Sequence, residues 1–162
     1  MNFIPEPCSL DNNMITRAFH SASAQFDFVS TDNTDFDNSC IYGDERVFDK
    51  LYDNIENTEN KRLHYGLTPI MFAGWNQNTV FFYHLLNNYN VNFNLTNNYG
   101  QTILHLVCMR KMIEYIEPLV IRGADIYTRD TYGYSSLDYL TNYPINTENI
   151  IRLYKKNREV LN

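Results

Sequence analysis

Gly100-Gln101-Thr102-Ile103-Leu104-His105-Leu106-Val107-Cys108 and the residues that follow as far as Gly123 decide how this chain is read. Thr102 can accept a backbone N–H at the start of a helix. Leu104, Val107 and Cys108 then fall at helical spacing, the pattern breaks near Lys111, and Ile113, Ile116, Leu119 and Val120 take it up again. Gly123 closes the stretch, as a left-handed C-terminal cap requires. The pattern predicts two short helices joined by a tight turn, followed by a loop to the next glycine.

Working outward, the dipeptide Tyr-Gly recurs as Tyr65-Gly66, Tyr99-Gly100 and Tyr132-Gly133, separated by 34 and then 33 residues. Two places after each glycine stands a small hydroxyl residue, Thr68, Thr102 or Ser135, and four places after it an apolar one, Ile70, Leu104 or Leu137. Pro69 suits a first helical position, where its missing N–H is not needed. A period in this range marks a repeat architecture, in which each unit buries its apolar face against its neighbours.

Carried by Thr102 to Cys108, then Gly123-Ala124-Asp125-Ile126 and Asp130-Thr131-Tyr132-Gly133, the sequence resembles the ankyrin repeat family. It departs at Ile103, where the family favours proline, and at Lys111, where it favours glycine. The unit from Gly66 is similar, with one extra residue before Asn90, which stands where the family has glycine; asparagine tolerates positive φ better than most residues. Ser39 to Leu51 looks like a degenerate capping repeat whose first helix starts near Asp35. The last unit has Leu137 and Leu140 in its first helix, an interruption at Pro144, and a second helix through Ile150, Ile151, Leu153 and Tyr154.

The resemblance implies an all-α fold, an ankyrin-repeat solenoid of about four helix-turn-helix units, two clear and two degenerate caps, at about 35–65, 66–99, 100–132 and 133–158. Residues 1–34 lie outside it as an N-terminal arm, partly flexible, with a short helix from Asn12 to Phe26.

The 162 residues carry 13 Lys and Arg against 19 Asp and Glu, a net charge of −6, and 44% of them are apolar, enough to form a core. An acidic total argues against nucleic-acid binding, which concentrates basic residues on one face. The acid is uneven: residues 1–65 have 5 basic and 12 acidic side chains, residues 66–162 have 8 and 7. Such asymmetry can steer a basic partner toward the front of the molecule or simply keep a solvated face soluble. Three cysteines, Cys8, Cys40 and Cys108, cannot all pair and show no metal-ligand spacing, which suggests a reduced compartment. The start lacks the pattern of a secretory signal and no run approaches 18 apolar residues, so no membrane span and an intracellular place, cytoplasmic or nuclear, are expected.

Chemistry is sparse. No two histidines lie at i, i+3 or i+4, and there is no G-x-S-x-G, H-E-x-x-H or phosphate-cradling glycine loop. No enzymatic activity, cofactor or metal is expected. His105 reads as scaffold, and Cys40 and Cys108, each three residues before an inter-helix turn where the middle unit has Gly74, read as core thiols. Function then falls to a surface.

By the resemblance, the variable partner-binding positions are the residue pairs before each inter-helix turn and those beside each Tyr-Gly. The pairs read Ile41-Tyr42, Trp75-Asn76, Met109-Arg110 and Asn142-Tyr143, and the loop row adds Tyr65, Tyr99, Tyr132 and Arg129. Aromatic, methionine and arginine side chains are the types that dominate interface hot spots. Trp75, the only tryptophan, is expected to face the groove, so that Trp75→Ala should spare the fold and weaken binding at least tenfold. Asn94 stands where ankyrin proteins carry an asparagine that an asparaginyl hydroxylase modifies.

The reading is therefore a protein-protein interaction module that binds another protein through its concave surface. With 22 Asn and 5 Ala the composition suggests an A/T-rich coding sequence. Short viral ankyrin proteins resemble inhibitors of Rel-type transcription factors, which points to a stoichiometric inhibitor of a host signalling protein. The alternatives are a small enzyme or regulator acting through residues 1–34, and a self-associating structural protein; the oligomeric state is left open.

Overall fold

Thr68 and Thr102, two of the hydroxyl residues that follow the glycines, do start α-helices. The computed structural model describes residues 35–52, 60–140 and 146–160, in which seven α-helices stand: α1 (Asp35–Tyr42), α2 (Glu45–Tyr52), α3 (Pro69–Trp75), α4 (Thr79–Asn88), α5 (Ile103–Met109), α6 (Ile113–Ile121) and α7 (Thr147–Val160). Thr68 and Thr102 are extended, at φ −87° and −83°, immediately before α3 and α5, and Pro69 is the first residue of α3. Among the described residues there is no strand, only an isolated bridge between Arg129 and Ser135.

Each of the first three units folds as a hairpin of two helices. The turn between them needs one residue in the left-handed region, and Gly43, Gln77 and Lys111 take it at φ 69°, 57° and 59°. The same backbone closure follows each time: Asp44, Asn78 and Met112 donate N–H groups to Ser39, Ala73 and Val107 at 2.8–2.9 Å. Glycine enters this conformation freely, whereas glutamine and lysine enter it at a cost. Gly123, at φ 97°, ends α6 as expected, with Ala124 N–H on the Leu119 carbonyl at 3.0 Å.

First helices pack side by side, α1 on α3 and α3 on α5. A Cβ on Gly74 of α3 would lie 2.7 Å from Ile103 Cδ1 and 3.3 Å from Val107 Cγ1, which is why that position needs a small residue. Cys40 and Cys108 stand at the matching places and are fully buried. Second helices meet through aromatic rings: Phe48 lies edge-on to Phe81 at 5.4 Å, and Phe82 stacks on Tyr115 at 4.2 Å. Burial of such side chains is worth roughly 1.5–3 kcal/mol each. α7 packs on α6 and closes the array, with the Asn157 side-chain amide donating to the Val120 carbonyl at 3.2 Å.

Two local expectations fail. The last unit has no first α-helix: Ser136–Leu140 forms a 3-10 turn packed on α5. Asn90 is not left-handed; α4 ends at Asn88 and the chain leaves through Tyr89 in extended conformation, at φ −129°, so the extra residue is absorbed without a positive-φ cap. The arm with its Asn12–Phe26 helix, the Asn142-Tyr143 pair and the Pro144 interruption lie outside the described residues.

Candidate partner-binding surface

The loop tips are built as a ladder. Asn98 N–H donates to the Tyr65 carbonyl and Thr131 N–H to the Tyr99 carbonyl, both at 3.0 Å, so each tip is tied to the next. Within a tip, Asn97 Oδ1 accepts the N–H groups of Tyr99 and Gln101 at 2.9 Å, and Asp130 Oδ1 accepts those of Tyr132 and Tyr134 at 2.9 and 3.0 Å. The tips are thereby fixed before any partner arrives. Tyr65 and Tyr99 are half-buried, whereas Tyr132 is 51% exposed and Arg129 is exposed beside it, donating to the Gly133 carbonyl at 2.6 Å.

At the other row, the helix-end pairs split. Tyr42 is 72% exposed, Asn76 is exposed and Arg110 half-buried, while Ile41 is half-buried and Trp75 and Met109 are only 7% and 8% accessible. The expectation that Trp75 and Met109 face the groove as open contact residues is overturned: both are buried. The reason is geometric: consecutive helical residues point about 100° apart, so the two members of a pair meet different surroundings. Met109 Sδ also accepts from the Gln101 amide at 3.6 Å, and the Asn76 amide donates to the Ile41 carbonyl at 3.0 Å. Arg110 places its guanidinium carbon 5.0 Å from the Trp75 ring, a contact nothing in the linear sequence signals.

Other sequence readings find their places. His105 Nδ1 accepts the Thr102 N–H at 3.2 Å and meets Thr102 Oγ1 at 2.9 Å, while Nε2 donates to the Tyr134 carbonyl at 3.1 Å. Burial lowers its pKa from 6.5, outweighing the hydrogen bond to Tyr134, so the ring is a neutral scaffold. Burial likewise pushes the Cys108 thiol up to about 12 and raises that of Cys40, which makes both inert as nucleophiles. His84 on α4 reaches Asp49 on α2, Nε2 to Oδ1 at 2.6 Å. Partial burial works to raise the Asp49 pKa, but the hydrogen bonds from Tyr89 and His84 prevail and lower it. Among the described residues no group of three His, Cys, Asp or Glu is arranged to hold a metal.

Asn94 has a structural task. Its amide donates to the Gly123 carbonyl at 3.2 Å and its Oδ1 accepts the Asp125 N–H at 2.8 Å. Asn60, one period earlier, does the same for Asn90 and Asn92 at 3.4 and 2.7 Å. This asparagine ladder escaped the sequence reading; the 34-residue spacing of Asn60 and Asn94 was its available signal.

A family model described as ankyrin repeats in three copies matches residues 38–130, and the chain belongs to the ankyrin repeat family. No curated protein matches it. Ankyrin repeats are generally protein–protein interaction modules and are typically non-catalytic. No helix among the described residues is long and apolar enough to cross a membrane.

Proposed function

We propose that this chain binds one partner protein stoichiometrically along the side that carries the first-helix ends and the loop tips. The observation that supports this reading is the row of exposed Tyr42, exposed Asn76 and half-buried Arg110, repeated every 34 residues, beside tips that end in exposed Arg129 and Tyr132. The loop tips are tied to one another by backbone hydrogen bonds, so binding there orders few groups. Tyr42 and Tyr132 are the anchors, replacing Trp75 and Met109 in that role.

The test is capture of partners on the immobilised full chain compared with the double variant Tyr42→Ser, Tyr132→Ser, whose circular dichroism should match the parent. The expected result is at least a tenfold loss of the retained partner; equal retention would defeat the reading. Rel-type transcription factors are the partner class to try first, by gel filtration of the chain with a purified Rel-homology dimer. Co-elution is the expected outcome.

A further inference from the structure

We propose that Arg110 is a carboxylate-binding position, which takes a glutamate or aspartate from an acidic segment of the partner. The inference rests on the binding surface described above and names the chemistry that its centre recognises. Arg110 sits over the Trp75 ring, 5.0 Å from guanidinium carbon to ring centre, with its Nε buried and without a hydrogen-bond partner. It forms no ion pair among the described residues. The unit it leans across, residues 66–99, contains no Asp, Glu, Lys or Arg, so that side of the surface supplies no carboxylate. The adjacent cation, Lys111, already donates Nζ to the Tyr139 carbonyl.

A guanidinium on an aromatic pedestal has already lost most of its rotamer freedom. Five donors in a planar fork match the two oxygens of a carboxylate, and the low charge density around this one arginine suits a single negative charge rather than a phosphate dianion. Trp75 is therefore a positioning residue: it touches Arg110, and Arg110 touches the partner.

The experiment follows the Arg110 Nε–H resonance in the full chain, labelled with ¹⁵N-arginine. The titrant is an acetylated, amidated hexapeptide with two glutamates in an apolar frame, and the controls are its glutamine and phosphoserine analogues. A saturable shift with the glutamate peptide is expected, with at least tenfold weaker binding of the glutamine analogue. Arg110→Lys, which keeps the charge and loses the fork, should bind the glutamate peptide at least tenfold more weakly with an unchanged circular dichroism spectrum. Absence of a saturable shift, equal affinity for the glutamine analogue, or full binding by Arg110→Lys overturns the proposal; tighter binding of the phosphoserine peptide overturns the choice of carboxylate. If Tyr42 and Tyr132 govern partner capture while the glutamate peptide fails, the binding surface stands and this assignment alone falls.

Discussion

Units 66–99 and 100–132 close their first helix with a left-handed residue of the same kind, Gln77 at φ 57° and Lys111 at φ 59°, yet differ in nearly every side chain around that shared backbone. The earlier unit has no Asp, Glu, Lys or Arg; the later one carries four acidic and four basic side chains. At the third helical position, Met71 Sδ accepts the Thr68 N–H at 3.5 Å, where His105 Nδ1 accepts that of Thr102 at 3.2 Å. Thr68 Oγ1 is buried without a partner, whereas Thr102 Oγ1 has His105. In the last unit Asp138 plays the same part, accepting the Ser135 N–H at 2.7 Å. The comparison teaches that the fold fixes where an acceptor must be, while thioether, imidazole and carboxylate each fill the place with different strength. Next to the turn, Trp75 and Met109 are both apolar and buried, two side chains of very different volume that share apolarity alone.

The largest break in this comparison should come from Trp75→Ala. With 7% of its surface accessible, the tryptophan leaves a cavity between first helices, and urea denaturation should show a loss of about 3–5 kcal/mol. A loss under 1 kcal/mol would return Trp75 to the exposed surface.

Next is His105→Leu, which strands the Thr102 N–H and the Tyr134 carbonyl. The expected cost by the same measurement is about 1–3 kcal/mol, while Met71→Leu in the earlier unit, losing only a weak sulfur acceptor, should cost less.

Acidification sharpens the same contrast. The folded pKa of His105 lies below 6.5, so below that pH the unfolded chain binds more protons and stability falls as pH decreases. The His105 contribution is fully present above pH 6.5 and is lost progressively below it. His105→Gln, which can still accept at the helix start, should flatten the change in thermal midpoint between about pH 7.5 and 5.5. A slope equal to that of the parent would remove His105 from the account.

The smallest effect is expected from Gln77→Gly. Its side chain is exposed and its backbone left-handed, so glycine should relieve strain and raise stability by about 0.5–1 kcal/mol, offset in part by greater freedom in the unfolded chain. A decrease would mean that the glutamine side chain contributes more than its conformation costs.

Sequence alone determined the period, the helix starts at Thr68 and Thr102, the turn positions at Gly43, Gln77 and Lys111, the small residues at Cys40, Gly74 and Cys108, and the scaffold role of His105. Each of these is set by local backbone geometry or by a packing distance that repeats with the period. Tertiary structure decided which member of each helix-end pair meets water, that Asn60 and Asn94 form one ladder, that Arg110 rests on Trp75, and that the last unit replaces a helix with a 3-10 turn. The helix-end outcomes turn on about 100° of helical rotation, which separates a buried residue from an exposed one and which apolar spacing alone leaves open.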